Sequence, residues 1–157
     1  MSAVRDLVIV GAGGHGRELF ATVAAINAVE PTWNVLGFVD DAPSHLDRVD
    51  RLGTTVLGDV GWLDSSLCQF ALGIGSSSVR RSLATRLTAS GSAPVSFVHP
   101  GAHVGPDVRL GDGVVVFDRC TITTDVDIGA HTHLNVGCAV QHDTMVGYFV
   151  QFSPGVF

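Results

Sequence analysis

The chain has 157 residues, 46% of them hydrophobic and 15% charged. That is enough apolar material for one packed domain or two small ones, and it excludes a disordered tail. The formal net charge is −6 and every basic residue is arginine, without a basic stripe, which excludes a general nucleic-acid binder. No apolar run approaches the roughly 20 residues that cross a bilayer. Met1-Ser2-Ala3-Val4-Arg5-Asp6 also lacks the basic start and apolar core of a signal peptide. Cys68, Cys120 and Cys138 share no metal spacing and read as buried thiols of a cytoplasmic protein.

Up to about residue 94, short apolar runs alternate with longer mixed segments. Leu7-Val8-Ile9-Val10 reads as a buried strand by length and β-branching, and a glycine turn follows it. Residues 17–26 have helical periodicity. Val35-Leu36-Gly37-Phe38-Val39 is a second strand, ended by Asp40-Asp41-Ala42-Pro43; residues 54–58 form a weaker third and residues 70–75 a fourth. Ser76 to Ser78 can cap a helix over 79–87, in which Arg80 and Arg81 are expected on the solvated face. This alternation predicts an α/β fold with a small parallel, Rossmann-like sheet over residues 1–94.

From Val98 the grammar changes to a period of six. The first positions are Val98, Val104, Leu110, Val116, Ile122, Ile128, Leu134, Val140, Val146 and Phe152, all apolar. The fifth positions, from Ala102 to Val156, are all small or β-branched, Cys120 and Cys138 among them. Six residues suit one short strand and one corner. The first and fifth positions point inward, and the glycines at second positions (Gly105, Gly111, Gly129, Gly147) are expected to ease the bend. A period this short cannot bury its own face and must stack, so residues 95–157 are predicted to form a β-solenoid.

Gly11-Ala12-Gly13-Gly14-His15-Gly16 fits G-x-G-x-x-G between a strand and a helix. The first glycine allows the turn, the second lets a phosphate approach, and the third lets helix and strand pack. Free N–H groups at the helix start favour an anion. Asp40, at the end of the second strand, can accept hydrogen bonds from a ribose or base. Gly75 and Ser76 follow the fourth strand, at the sheet edge where ligands bind, although Ser76 serves equally as a helix cap. His15 is open between a helix-start residue and a donor to phosphate or sugar. NAD, another nucleotide, or a plain tight turn all remain compatible with this loop.

His142 takes a third position of its hexad, which points outward near a corner, with Asp143 adjacent to hold the imidazole. His131 and His133 invite a metal reading with His142, but a corner is expected between them. His99 and His103 are expected to be structural.

The hexads resemble the left-handed parallel β-helix of the hexapeptide-repeat acyltransferases. Together with the stretch 8–18, with Leu36-Gly37-Phe38-Val39-Asp40-Asp41, and with His142-Asp143, the whole chain resembles the PglD/NeuD family of sugar acetyltransferases. The resemblance implies acetyl transfer from acetyl-CoA to the amine of a nucleotide-linked amino sugar by a homotrimer, without metal. It assigns His142 as general base and Asp143 as its partner. It also implies nucleotide-sugar binding by Gly11, Gly13, Gly14, His15, Gly16, Asp40, Asp41, Gly75 and Ser76, and sugar contact by Asn135. Gln151, where relatives carry a second histidine, and Gly155 fall on the acetyl-CoA side; an amide can donate to a thioester carbonyl but carries no proton. Backbone N–H groups of the coils would stabilise the oxyanion. Inward Cys120 and Cys138 argue against a cysteine nucleophile. Sialic acid or other sugar O-acetylation, and a non-catalytic sugar-nucleotide-binding or scaffold role, are the alternatives. The repeat stops at Phe157 in mid-prism, where relatives continue for several coils, so weak CoA binding by a shortened chain is expected.

Overall fold

The computed structural model describes residues 4–66 and 68–157. β1 (Arg5–Val10) is the centre of the first sheet, and Leu7, Val8, Ile9 and Val10 are fully buried. α1 (Gly14–Val29) leads to β2 (Trp33–Val39), α2 (Leu46–Asp50), β3 (Val56–Gly58), a 3-10 turn (Val60–Asp64), β4 (Gln69–Leu72), α3 (Ser77–Ala89) and β5 (Ala93–Pro94). All pairings are parallel, in the order β3-β2-β1-β4-β5. The order reverses between β1 and β4, where the two neighbouring connections leave in opposite directions and open a crevice. α1 begins inside the glycine loop, three residues before its apolar periodicity starts. β4 ends at Leu72 because Gly73 is already in close contact with α1: a Cβ there would lie 2.4 Å from Gly16 Cα.

The second half is a parallel β-helix. β6 (Phe97–Val98), β7 (His103–Val104) and β8 (Val108–Leu110) make the first coil. β9 (Val115–Val116), β10 (Thr121–Ile122) and β11 (Val126–Ile128) make the second. β12 (His133–Leu134), β13 (Ala139–Val140) and β14 (Thr144–Val146) follow, and β15 (Gln151–Phe152) starts a fourth. Three sheets result: β6-β9-β12-β15 on one face, β7-β10-β13 on the next, β8-β11-β14 on the third. Register repeats every 18 residues, 103 with 121 and 121 with 139. The inward positions behave as the period predicts. Val116, Ile122, Leu134, Val114, Cys120 and Cys138 are buried together in the prism core, whereas Val104, on the open first coil, is 36% exposed.

The bend differs from the sequence expectation. It lies at the fourth hexad position, where Asp107, Gly113, Arg119, Asp125, His131, Gly137, Asp143, Phe149 and Gly155 all have φ between 52° and 72°. Gly105, Gly111 and Gly129 serve coil stacking instead: a Cβ on Gly105 would sit 1.8 Å from the Thr123 carbonyl oxygen of the next coil, whereas one on Gly147 would meet only Val150 Cγ2, at 3.9 Å.

The two halves share a core. Phe97, Val115 and Phe117 pack in one cluster with Leu7, Leu19, Val23 and Phe38. The four-stranded face of the prism is therefore the one that the first sheet and α1 cover.

Candidate functional site

A cavity of about 470 Å³ lies at the crevice between β1 and β4. Its walls are the glycine loop (Gly11, Gly13, Gly14, His15), the end of β2 (Asp40, Asp41, Ala42), and Gly73, Ile74 and Gly75 after β4, closed by Val60, Val79 and Leu83. Among the described residues no arginine lines it, so a bound anion would depend on backbone N–H groups. The start of α1 suits this: Gly13 caps it without a side-chain hydrogen bond, and its first turn carries no acid.

The glycines divide by function. Gly11 has φ 98° and Gly16 sits with its Cα against the loop; a Cβ on Gly16 would be 1.8 Å from Gly11 O. These two are required by the fold. Gly13 and Gly75 have no positive φ and nothing of the protein within 4 Å of a Cβ. The protein itself does not require these two to be glycine, and the space above them is open to a ligand passing over the loop. Gly16→Ala is expected to destabilise the protein by about 2–4 kcal/mol. Gly13→Val should stay within about 1 kcal/mol of wild type yet lose nucleotide affinity. Thermal unfolding and calorimetry on both variants check the split; equal losses of stability would refute it.

Asp40 is partly committed to the loop. Its Oδ2 accepts from Ala12 N at 2.8 Å and its Oδ1 from Ala42 N at 2.9 Å, so it ties the glycine loop to β2 and keeps only its remaining lone pairs for a ligand. Asp41 accepts from Val60 N at 2.9 Å and is otherwise exposed at the cavity. Ser76 Oγ accepts from Val79 N at 3.4 Å, which is the helix-cap role.

His15 lies at the cavity floor, and its Nε2 is 2.9 Å from Nδ1 of His133, a fully buried ring on β12. Burial, then the Arg80 charge, pushes His15 down to about 4 and holds His133 and His131 below the ordinary histidine range. The neutral pair is cheapest with His133 donating from Nδ1, because the other tautomer would bury an unpaired N–H at His133 Nε2, which has no partner among the described residues. His131, at its left-handed corner, stacks on Phe149 with centroids 4.9 Å apart. No cluster of three ligands able to hold a metal occurs among the described residues. The fold thus favours the neutral form of each ring over the unfolded chain, where histidine titrates near 6.5. Stability should therefore be full above about pH 6.5 and fall as the pH drops towards 4, with His15 contributing on the order of 3 kcal/mol. Urea unfolding across that range measures it; a His15→Gln variant with an equally steep profile would contradict the assignment.

Arg80 is the main departure from the sequence reading, which put it in solvent. It is fully buried and donates to both halves of the molecule: to Ile74 O (2.8 Å) and Gly75 O (3.0 Å), and to Gln151 Oε1 (2.7 Å), Phe149 O (3.0 Å), Val150 O (3.1 Å) and His131 O (3.2 Å). Arg81 stays outside, with its guanidinium 4.4 Å above the Phe149 ring. Both Gln151 amide atoms are thereby engaged, since Nε2 donates to Phe152 O. A short polar helix start gives no sequence sign of a buried arginine. The signal available was the unexplained glutamine in an aliphatic rung.

His142 and Asp143 stand apart from the cavity. They sit at the corner between the second and third prism faces, opposite the face that the first sheet covers. His142 Nδ1 is 2.7 Å from Asp143 Oδ2, both side chains are mostly exposed, and Nε2 is free to face outward. Asn135 directly follows β12, a strand of the covered face, and its Oδ1 accepts from Val136 N at 2.8 Å. Gly155 is a left-handed corner residue (φ 69°) with open space at its Cβ. Cys120 and Cys138 are buried, and burial pushes the Cys120 thiol up to about 11, so it is not a nucleophile at neutral pH.

Residues 6–87 match the PglD N-terminal domain family. The chain is 28% identical over 150 residues to GDP-perosamine N-acetyltransferase of Escherichia coli O157:H7, covering 94% of this chain and 66% of that protein. It thus spans about two thirds of that relative's length. PerB from Caulobacter crescentus, solved in complex with CoA and GDP-perosamine, superposes with a TM-score of 0.84 at 31% identity, over 97% of this chain and 70% of that one. The acetyltransferase domain of PglB from Neisseria gonorrhoeae FA1090, solved with acetyl coenzyme A, gives 0.84 at 26% identity over 98% and 72%. The family model spans just over half of the chain and the structural likeness nearly all of it, so the chain belongs to the PglD N-terminal domain family.

Proposed function

We propose that the protein transfers an acetyl group from acetyl-CoA to the amine of a nucleotide-linked amino sugar, with residues 1–94 holding the nucleotide and the left-handed solenoid of 95–157 carrying the chemistry. The observation that carries the reading is the His142–Asp143 pair: an exposed imidazole whose Nδ1 is held at 2.7 Å by a carboxylate, leaving Nε2 as the working atom. The sugar nitrogen attacks the thioester carbonyl carbon and gives its proton to His142 Nε2. Coil N–H groups stabilise the oxyanion. The C–S bond then breaks, and the proton passes from His142 to the departing CoA sulfur. No acyl-enzyme is formed.

Because His142 is on the corner opposite the covered face, the pocket of one copy must meet the histidine of another. A homotrimer packed along the prism axis supplies that meeting. Met145 and Tyr148, 84% and 69% exposed on the third face, offer apolar surface for it. On this reading Gly11, Gly13, Gly14, His15, Asp40, Asp41 and Gly75 bind the nucleotide sugar, Gly16 and Ser76 shape the loop ends, and Asn135 and Gly155 serve the sugar amine and the donor; Gln151 would border the donor side without donating to the thioester, since both its amide atoms are engaged.

Thiol release from acetyl-CoA tests the reading. Turnover is expected with GDP-perosamine or another nucleotide-linked amino sugar, and not with free sialic acids. Turnover confined to a sugar hydroxyl would favour O-acetylation, and binding without thiol release would favour a scaffold.

A further inference from the structure

Arg80 is a buried cation with no carboxylate partner among the described residues. Its acceptors are five main-chain carbonyls and the Gln151 amide oxygen. Burial pushes the guanidinium down to about 10, so it remains charged at neutral pH. A buried charge satisfied only by carbonyls is costly and is not needed to fill a core that aliphatic residues fill elsewhere in α3. Its geometry is specific. Nη1 grips Ile74 and Gly75, whose residues wall the cavity, and reaches Gln151 Oε1 of the last coil as well, while Nη2 grips Phe149 and Val150 and Nε donates to His131. Five N–H donors in a plane can hold both segments at once, which no other side chain can do.

We infer that Arg80 is a positioning residue: it clamps the cavity rim at Ile74–Gly75 to the last coil, so that the ligand pocket of the first half keeps its shape only when docked on the solenoid. Its hydrogen bonds to the Ile74 and Gly75 carbonyls engage two partial negative charges of residues that wall the candidate anion site. The clamp also brings Gln151 into the same network, so that the pocket and the expected donor side respond to one group. This rests on the nucleotide reading for its ligand, but not for its mechanical part.

The test uses the full chain with Arg80→Ala and Arg80→Lys, with and without millimolar methylguanidinium. Amide exchange is read in the free protein, and affinity is read with GDP-perosamine and GDP. Arg80→Ala is expected to speed exchange of residues 74–79 and of 149–152 together, to weaken ligand affinity about tenfold or more, and to leave kcat at saturating substrate within about twofold. Methylguanidinium should restore both readouts; Arg80→Lys, which keeps charge but not the planar fork, should not. Exchange that rises on one side only, or unchanged affinity, would overturn the clamp. If Arg80→Ala does not fold, Gln151→Leu, which removes one acceptor, must raise exchange in 74–79 across the interface, and its failure to do so is equally decisive. A wild-type protein that binds neither probe would defeat the nucleotide reading, while the exchange data would still settle Arg80.

Discussion

His142→Ala is expected to lower kcat by about 10²–10⁴-fold, the range for loss of a general base. Nucleotide-sugar affinity should stay near wild type, because His142 is absent from the cavity walls. The ring's exposure is the reason for expecting a clean result. His142 is 68% exposed in its side chain, so truncation leaves no cavity and exposes no core. Asp143→Asn is the companion variant. Asp143 has φ 57°, a conformation asparagine tolerates, so the corner is kept while the carboxylate charge is removed. A loss smaller than that of His142→Ala is expected, since the imidazole remains. Initial rates with varied acetyl-CoA and sugar nucleotide separate kcat from KM. Near-normal turnover of His142→Ala would end the assignment of the base.

Much of this was legible because periodicity is local. The six-residue spacing needs no knowledge of what packs on the prism, and its inward positions are buried as expected from Val114 to Val140. The strand–glycine–helix unit was equally plain, since four apolar residues and a glycine turn determine it without help from elsewhere. What failed to show was whatever depends on contact between the halves. Arg80 reads as a surface residue of a polar helix until the solenoid covers it. His133 reads as a metal candidate until His15 is brought within 2.9 Å from 118 positions away in sequence. The corner residues were missed for another reason. Arg119, His131 and Phe149 are not residues that announce a left-handed backbone, yet coil closure imposes it on them. Three of the glycines that did stand out at second positions, Gly105, Gly111 and Gly129, answer to the backbone of the neighbouring coil.

Mixing two inactive variants is expected to restore activity. Gly13→Val disables the pocket and keeps His142; His142→Ala disables the base and keeps the pocket. If one chain supplied both parts of a site, every mixture would be dead. The fold argues otherwise, because the first sheet covers one prism face and His142 occupies the opposite corner. With each site built from the pocket of one copy and the histidine of the next, a random one-to-one mixture contains intact pairs at about one site in four. Co-expression with two affinity tags, followed by purification of the doubly tagged assembly, gives the sample. In such trimers each assembly holds both variants, so one of its three sites is intact and thiol release near a third of wild type is expected. The singly tagged pools should stay at background. A mixed assembly that is as inactive as its parents would overturn the shared site, and with it the general-base role of His142 in a pocket supplied by another copy.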